Sequence, residues 1–341
     1  MPKTPIFGKK NVLVTGGAGF IGSHLCEVLL KTSKVICLDN FSNSTPANIE
    51  HLLKDPDFEL LKLNINQPFN LEDFPELEKF KIKFQGVQEI YHMACPTSAK
   101  NFNQSKIETL LTNSVGTYYA LEMAVKYKAK FMLGSSAVVY GPRQPDKQTF
   151  SEEDLGAVNN LSKRACYDEG KRFAETMAAT YAQVHKIDTK IARIFRTYGP
   201  RLKLFDSQMI SDFIVEAIRG QDLVIYGDET FSSSLVYVSD VVDGLLKLMA
   251  VADSVGAVNV VNFGDERVHL LSDVAKTIIE KVGSKSKIHF EKPLEFITPL
   301  GIPDIRKAKN ELGWMPLVML EDGLKKTIDY TIAKEKTIGQ G

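Results

Sequence analysis

Short apolar runs rich in β-branched residues alternate with longer helical patterns along the first part of the chain. These runs predict parallel strands that are buried on both faces, because they lack a regular polar alternation; they occupy 10–16, 34–40, 58–65, 88–94, 130–136 and 189–195. Apolar positions at helical spacing predict helices over 24–31, 107–128 and 166–186. Strands that alternate with helices predict an α/β fold with a doubly wound parallel sheet.

The pattern loosens after TYGPR (197–201), where short elements rich in Pro and Gly begin. We therefore expect residues 1–200 to form the sheet domain, with 236–262 returning to it. The segments 201–235 and 263–341 would then form a smaller, interleaved C-terminal lobe that binds substrate. A chain of 341 residues is long enough for one large domain or two smaller ones.

Composition narrows the classes of function. Lys+Arg and Asp+Glu both number 42, so no bulk charge indicates a nucleic-acid or membrane surface. The start MPKTPIFGKK lacks the apolar segment of a signal peptide, and no apolar run is long enough to span a membrane, so we expect a cytoplasmic protein. The four cysteines and six histidines lack metal-ligand spacing, so no metal site is predicted.

A glycine-rich turn follows the first predicted strand. TGGAGFIG (15–22) puts Gly16, Gly19 and Gly22 between a strand and a helix, where a pyrophosphate can approach the helix N-terminus. Asp39 ends the second strand and can accept the hydroxyls of an adenosine ribose, which makes the unit a Rossmann-type dinucleotide site. The carboxylate would repel a 2′-phosphate, and no Arg follows it, so we predict NAD rather than NADP. A glycine turn that serves helix–strand packing alone would not explain the carboxylate in register.

Tyr167 and Lys171 lie four residues apart on a predicted helix and so share one face. A free tyrosine has a pKa of about 10, and we expect the ammonium and a positive nicotinamide to lower it. Such a phenol can take a proton from a sugar hydroxyl while hydride leaves for NAD. Ser136, at the end of the fifth strand, can share that hydroxyl. An isolated YxxxK pattern is typical of helix surfaces, but here it follows a dinucleotide turn and a strand ending in SS.

The chain resembles the extended short-chain dehydrogenase/reductases that modify nucleotide sugars. The resemblance rests on TGGAGFIG, YHMACPTS (91–98), TNSVGT (112–117), VYG (139–141), CYDEGKR (166–172), ARIFRTYGPR (192–201), VYVSDVVDGL (236–245) and LGW (312–314). Within that group, HMACPTS, RACYDEGKR and PDIRKAKNELGW are most similar to UDP-glucuronic acid decarboxylases.

The resemblance implies a set of site residues. NAD would contact Gly16, Gly19, Phe20, Ile21, Gly22, Asp39, Asn40, Asn64, Ile65, Ala94, Asn113, Tyr167 and Lys171. Ser136, Tyr167 and Lys171 would be catalytic, with Ser136 and Tyr167 at the sugar C4 hydroxyl. Apart from the resemblance, we predict that a UDP-sugar contacts Pro96, Ser136, Arg196 and Arg201. The resemblance also implies a homodimer formed through helices 107–128 and 166–186, although burial within one subunit would explain the same apolar residues.

Several positions depart from the decarboxylase pattern. The active-site Glu is Val138, and the arginines expected near 208, 233 and 301 are Gln208, Ser233 and Gly301. Arg196 replaces the Asn of RIFNTYGP, and Asn64 stands where an adenine-contacting Asp is usual. Each lost hydrogen bond to a charged group is worth about 1.5–3 kcal/mol. Cations elsewhere could offset this loss; the candidates are Arg196, Arg201, Lys203 and Lys292.

Three functions stay open. The first is NAD-dependent oxidation at C4 of a nucleotide sugar, with 4-epimerisation or simple dehydrogenation slightly favoured. The second is UDP-glucuronate decarboxylation, which the missing Glu and arginines disfavour. The third is a regulatory protein that binds a dinucleotide without catalysis, and the intact Ser136, Tyr167 and Lys171 count against it. A 4,6-dehydratase is excluded, because Ala137 and Val138 cannot supply its Asp-Glu pair.

Overall fold

The computed structural model describes residues 8–97, 102–204, 209–252, 256–294 and 299–338. Its strands are β1 (Asn11–Thr15), β2 (Lys34–Asp39), β3 (Phe58–Lys62), β4 (Glu89–His92), β5 (Lys130–Ser136), β6 (Thr149–Phe150), β7 (Thr189–Ile194), β8 (Thr197–Tyr198), β9 (Leu223–Tyr226), β10 (Ser232–Ser234), β11 (Val236–Tyr237), β12 (Val258–Phe263), β13 (Val268–Leu270), β14 (Ile288–Glu291) and β15 (Ile302–Pro303). Its helices are α1 (Phe20–Leu30), α2 (Ile82–Gln85), α3 (Phe102–Leu111), α4 (Thr117–Tyr127), α5 (Ala165–His185), α6 (Ile210–Ile218), α7 (Val238–Ala250), α8 (Leu271–Val282), α9 (Arg306–Leu312) and α10 (Leu320–Ile338).

Seven strands form one parallel sheet in the order β12-β7-β5-β4-β1-β2-β3. Every residue of β1 is buried, as the unbroken apolar run NVLVT predicts for a strand covered on both faces. The strand order reverses between β1 and β4, and ligands of such sheets bind in the crevice outside the carboxyl ends at that point. The doubly wound α/β prediction is confirmed.

Separate apolar cores cover the two faces of the sheet. On one face, Leu25 of α1 and Leu245 of α7 belong to a core that also includes Val12. On the other face, Leu121 of α4 and Ala178 of α5 pack in a second core. Helices therefore lie on both sides of the sheet, and the strand ends are left to form the site.

The long helix predicted over 107–128 differs from the structure. Helical residues begin at Phe102, and a π-helical turn, Thr112–Gly116, separates α3 from α4. A side chain at Gly116 would collide with Asn66, because an added Cβ would lie 2.8 Å from its Oδ1. The wider turn therefore lets the helix pass close to the loop after β3, which the 3.6-residue pattern alone does not predict.

The chain leaves the sheet after β7 and returns in β12, which pairs in parallel with β7 from Val258 to Phe263. Between and beyond these strands, β9 pairs with β14 and β10 pairs with β13, away from the main sheet. The division into two interleaved domains stays a prediction. None of the helices in the described ranges has the length and apolar character needed to cross a membrane.

Candidate active site

A cavity of about 690 Å³ opens at the carboxyl ends of the central strands. It is lined by almost all the predicted site residues: Gly16, Gly19, Phe20, Ile21, Gly22, Asp39, Asn40, Asn64, Ile65, Ala94, Pro96, Ser136, Tyr167, Lys171, Arg196 and Arg201. These residues come from the ends of β1, β2, β3, β4, β5 and β7 and from the starts of α1 and α5. The topology therefore brings distant sequence motifs to one crevice.

The glycine turn has the geometry that a dinucleotide pyrophosphate needs. Gly16 has a φ of +69°, and an added Cβ there would lie 2.7 Å from the backbone of Ala94. Gly19 caps α1, and an added Cβ would meet only the Gly16 carbonyl, at 3.1 Å, and would otherwise point into open space. No side chain caps α1, and its first turn holds no acidic residue. The free amide groups of this helix end fit an anionic phosphate.

Asp39 is largely buried, and its carboxylate already accepts hydrogen bonds from the protein. Oδ2 accepts from the Ala18 amide at 2.9 Å, and Oδ1 accepts from the Phe41 amide at 2.9 Å and from Ser44 Oγ at 2.7 Å. A carboxylate has about four acceptor positions. About one therefore remains for a ribose hydroxyl, so acceptance of both hydroxyls would require Ser44 to turn away.

Asn64 and Ile65 line the cavity near the adenine end that the resemblance implies. The Oδ1 atom of Asn64 accepts from the Asn66 amide at 3.0 Å, and its Nδ2 lies 3.4 Å from Glu108 Oε1. An amide oxygen has two lone pairs, so one stays available on Oδ1. Together with Asp39 and the glycine turn, this donor and acceptor set fits NAD.

The predicted catalytic residues meet at the end of β5. Ser136 Oγ accepts from the Val138 amide at 3.4 Å and begins a 3₁₀ turn, Ala137–Tyr140. The buried Lys171 Nζ donates to the Gly134 carbonyl at 2.7 Å, so the ammonium is anchored to β5. Tyr167 forms a hydrogen bond with Ser136. Helical spacing therefore brings the phenol and the ammonium to the same strand end.

The pKa of Tyr167 differs from the sequence-based expectation. Burial raises the pKa of the phenol, the neighbouring Cys95 acts in the same direction, and the hydrogen bond with Ser136 lowers it. The protein groups alone therefore favour the neutral phenol. The predicted lowering included a positive nicotinamide, and for the protein groups alone the effect of burial is the largest. An additional positive charge beside Tyr167 would favour the phenolate.

Arg196 is the most unusual charged group of the cavity. Its Nε is buried without a hydrogen-bond partner, and within the described ranges its guanidinium pairs with no carboxylate. Burial lowers the pKa of Arg196 to about 10, and the positive charges of Arg164 and Arg143 act in the same direction. Because a buried charge without a counterion is strongly unfavourable, the arrangement is typical of a site that awaits an anion.

Arg164 and Arg143 were not singled out as site residues in the sequence. Arg164 borders the cavity, and its Nε donates to both carboxylate oxygens of Asp168, at 3.0 and 2.9 Å. Arg143 donates to the Ser232 carbonyl at 2.9 Å and so reaches the strand on which Ser233 replaces the expected arginine. Arg164 lies in the RACYDEGKR motif, three residues before Tyr167, and this position could have marked it as a site residue.

The other candidate cations differ in their surroundings. Arg201 lines the cavity, but its Nη2 donates to Glu27 Oε2 at 2.5 Å, so its charge is already compensated. Lys203 lines the cavity and donates to Asn43 Oδ1 at 2.8 Å. Lys292 is exposed and does not border the cavity described here. Of the four cations, Arg196 is therefore the best placed to hold an anion.

Asn113 does not line the cavity. It is buried on the π turn, where its Nδ2 donates to the Thr109 carbonyl at 2.9 Å and to Cys95 Sγ at 3.2 Å. Cys95 itself borders the cavity. The amide can therefore act on a ligand only through Cys95 in this geometry, and its direct contact with NAD stays a prediction.

The departures from the decarboxylase pattern are structural as well as chemical. Val138 borders the cavity as an apolar group. The Ser233 hydroxyl is buried and donates to the Ser234 carbonyl at 3.1 Å. A side chain at Gly301 would collide with Phe150, because an added Cβ would lie 2.1 Å from its ring. Gln208 lies outside the described residues.

A dinucleotide turn beside a Ser-Tyr-Lys set at the switch point of a parallel sheet defines an NAD-dependent oxidoreductase site. Residues 12–264 match the NAD dependent epimerase/dehydratase family. UDP-glucuronic acid decarboxylase 1 of Xenopus tropicalis is 39% identical over 323 residues, which cover 94% of this chain and 72% of the relative. The chain belongs to this family of nucleotide-sugar enzymes, and NAD is its cofactor.

Two solved structures are similar over almost the whole chain. UDP-glucose 4-epimerase of Thermotoga maritima, solved with UDP-glucose, has a TM-score of 0.82 and 26% identity and covers 95% of this chain and 99% of its own. UDP-glucuronic acid 4-epimerase of Bacillus cereus, solved with UDP-glucuronic acid and NAD, has a TM-score of 0.81 and 27% identity, with the same coverage. Similar proteins therefore carry out both epimerisation and decarboxylation.

Proposed function

We propose that this enzyme oxidises C4 of a UDP-linked uronate and then re-reduces the same carbon, so that UDP-glucuronate is 4-epimerised. The observation that supports the proposal is Arg196, whose buried Nε has no hydrogen-bond partner within the described residues and which lines the same cavity as Ser136 and Tyr167. Bound NAD would supply the hydride acceptor for C4 and the donor for its return. UDP-glucuronic acid is bound by the Bacillus cereus epimerase, and it carries an anionic carboxylate next to the reacting carbon.

The chain's own groups divide the proton chemistry between them. Tyr167 would accept the proton of the C4 hydroxyl as general base, and Ser136 would hold that hydroxyl through a hydrogen bond. Lys171 follows Tyr167 by four residues on α5, so its ammonium lies on the same helix face as the phenol. On return of the hydride, Tyr167 gives the proton back to the C4 oxygen. General acid–base help of this kind is worth about 10²–10⁴-fold in rate.

Arg196 bears on what happens between oxidation and reduction. A 4-keto uronate is a β-keto acid, and CO₂ leaves when the carboxylate electron pair moves towards the ketone. A guanidinium bound to the carboxylate stabilises the charge at its starting position, and this raises the barrier to CO₂ loss. Val138 offers no acid to protonate the carbon that CO₂ would leave behind. These two residues favour retention of the carboxylate and therefore epimerisation.

Decarboxylation is the second candidate, and the curated relatives support it. UDP-glucuronic acid decarboxylases of Xenopus tropicalis and Arabidopsis thaliana are 39% and 38% identical to this chain over more than nine-tenths of its length. A decarboxylase needs the same C4 oxidation, and the same Ser136, Tyr167 and Lys171 would serve it. The two candidates differ in the fate of the C6 carboxylate and in the face of C4 to which the hydride returns.

Product analysis separates the two candidates. The purified protein is incubated with UDP-glucuronate, and the products are followed by NMR while bound NAD is monitored by absorbance. UDP-galacturonate is the expected product. UDP-xylose or a 4-keto pentose would establish decarboxylation instead. No turnover with UDP-glucuronate, followed by turnover of UDP-glucose, would contradict the assignment of a carboxylate to Arg196.

We also propose that the enzyme is a homodimer formed through α3, α4 and α5. Ala174, Ala178 and Ala182 are buried within the subunit, but the same helices expose large apolar side chains: Ile107, Leu110, Leu111, Tyr118, Phe173 and Val184. Burial within one subunit therefore explains only one side of these helices. Phe173→Glu should give a monomer by light scattering. Phe84→Glu, at an exposed position on α2, should leave the dimer unchanged.

A further inference from the structure

A charged group that the proposed reaction does not use lies directly behind the catalytic residues. Glu175 follows Lys171 by one helical turn and Tyr167 by two, so the three share a face of α5. Its Oε1 accepts from Ser135 Oγ at 2.6 Å, and Ser135 is the neighbour of the catalytic Ser136 on β5. One carboxylate therefore ties the catalytic helix to the catalytic strand.

Arg193 of β7 completes the connection. Its Nε donates to Glu175 Oε1 at 3.0 Å and its Nη2 to Oε2 at 2.8 Å, a bidentate ion pair whose side chains are 14% and 13% exposed. Arg193 is also the parallel partner of Ser135 in the sheet. The carboxylate thus accepts three hydrogen bonds from two neighbouring strands, which fixes both its position and its rotation.

The network continues to the turn that follows Ser136. Arg193 Nη1 donates to the Tyr140 hydroxyl at 2.9 Å, and that hydroxyl donates to Asn262 Oδ1 at 2.7 Å. Tyr140 ends the 3₁₀ turn that begins at Ser136. Both ends of the catalytic Ser136 segment are therefore bound to the network, through Ser135 on one side and Tyr140 on the other.

We propose that Glu175 is a positioning residue that holds Tyr167 and Lys171 of α5 in register with Ser136 of β5. The proposal rests on the proposed C4 oxidation. It assigns no contact with substrate or NAD to Glu175, which acts through Tyr167, Lys171 and Ser136. A small rotation or slide of α5 against β5 would separate the phenol from the serine hydroxyl. A displacement of about 1 Å in a catalytic group costs roughly 100-fold in rate.

The chain offers a matched control on the same strand. Asp188 and Lys190, at the start of β7, form a buried ion pair at 2.9 Å with side chains 4% and 0% exposed. This pair lies at the amino end of the sheet, away from the cavity. Asp188→Asn and Glu175→Gln make the same chemical change, so both should lower the free energy of unfolding. Only Glu175→Gln should alter catalysis.

The test compares the two variants with the wild-type enzyme. Glu175→Gln should lower kcat about 10- to 100-fold, leave NAD affinity unchanged, and move the acid limb of the kcat–pH profile to higher pH, because the Ser136–Tyr167 hydrogen bond is weakened. Ser135→Ala removes one hydrogen bond of the network and should give a smaller change of the same kind. Asp188→Asn should reduce stability in urea but keep kcat and the pH profile.

A second measurement does not depend on turnover. In protein labelled with [¹³C-ζ]tyrosine, the Tyr167 resonance is assigned by its loss in Tyr167→Phe, and its shift reports the hydrogen bond with Ser136. Glu175→Gln should move this resonance and Asp188→Asn should not, even if no tested sugar is a substrate. An unmoved resonance, or equal loss of kcat in the two variants, would overturn the positioning role.

Discussion

We name the part of the cavity around Asp39 and Asn64 the dinucleotide half and the part around Arg196 the sugar half, after the ligands proposed for them, and the two differ in how their polar groups are satisfied. In the dinucleotide half, Asp39 accepts three hydrogen bonds from the protein, and the Asn64 side chain is held at both ends. In the sugar half, Arg196 is partly exposed, its buried Nε has no partner among the described residues, and two further arginines lie nearby. The first half is organised in advance, while the second carries an uncompensated charge that a ligand must neutralise.

The difference matches the chemistry of the two ligands. A cofactor that is kept through the reaction cycle suits a rigid site, whose residues lose little further conformational entropy when it binds. A substrate that enters and leaves can contribute the missing countercharge, and this couples binding energy to the identity of the sugar. Substitutions in the two halves should therefore produce different kinetic signatures.

The largest effect is expected where the two halves meet, at Tyr167. Tyr167→Phe removes the proton acceptor and should lower kcat by about 10²–10⁴-fold with NAD affinity unchanged in calorimetry. Tyr181→Phe, on the same helix with its hydroxyl bound to Glu122 at 2.6 Å, is the control and should retain wild-type kcat. Near wild-type turnover in Tyr167→Phe would refute the catalytic assignment.

The sugar half is tested next by Arg196→Gln. Loss of a charge-assisted hydrogen bond of about 1.5–3 kcal/mol should raise KM for UDP-glucuronate roughly 10- to 150-fold, with NAD affinity unaffected. The share of decarboxylated product should rise at the same time, because the carboxylate is no longer held. NMR of the product mixture measures both effects. Lys292→Gln, at an exposed position outside the cavity, should change neither.

Substitutions in the dinucleotide half should change the affinity for the cofactor and leave the identity of the product unchanged. Asp39→Ala removes the ribose acceptor and should weaken NAD about 10-fold, the value of one hydrogen bond to a charged group, while NADP is no longer repelled. Ser44→Ala frees one acceptor position on Asp39 and should keep or increase NAD affinity. Unchanged affinity for both cofactors in Asp39→Ala would show that the ribose lies elsewhere.

The smallest effect concerns the pH dependence of stability and involves Glu216 of α6. Burial, together with the charge of Asp212, raises the pKa of Glu216 from 4.5 to about 7. The stability that its protonated form contributes is therefore complete below about pH 4.5 and is lost as pH rises through 7. The free energy of unfolding of Glu216→Gln should exceed that of the wild type by about 1–2 kcal/mol more at pH 8 than at pH 5, after a discount for the partial exposure of Glu216. Urea unfolding at both values measures it.

His92, at the end of β4, supplies the opposite pH dependence as a control. Burial lowers the pKa of His92 to about 3, and the positive charge of Lys171 acts in the same direction. The ring lies between Thr15 Oγ1 at 2.8 Å and Thr117 Oγ1 at 3.2 Å. Its neutral form contributes stability above pH 6.5, which is lost as pH falls towards 3. Glu216→Gln should leave this acid limb unchanged.

The sequence predicted most of the residues that line the cavity, because they lie in local motifs. The glycine turn, Asp39, Ser136, Tyr167 and Lys171 each follow from a short pattern and a predicted strand end. The partners of cationic residues could not be found in this way. Glu27, which pairs with Arg201, lies 174 residues away in the chain, and nothing in TYGPR indicates that its arginine is already compensated. The widened turn at Thr112–Gly116 likewise depends on a distant neighbour, Asn66.

The edge strand β12 has a consequence for how the enzyme matures during synthesis. The Tyr140 hydroxyl, at the end of the catalytic turn, donates a hydrogen bond to Asn262, a residue 122 positions later. Asn262 also bonds the Phe150 carbonyl at 3.1 Å, so one amide joins the strand to two earlier segments. Such long-range pairing slows folding, and the hydrogen bonds that support the catalytic turn are complete only after β12 has been synthesised.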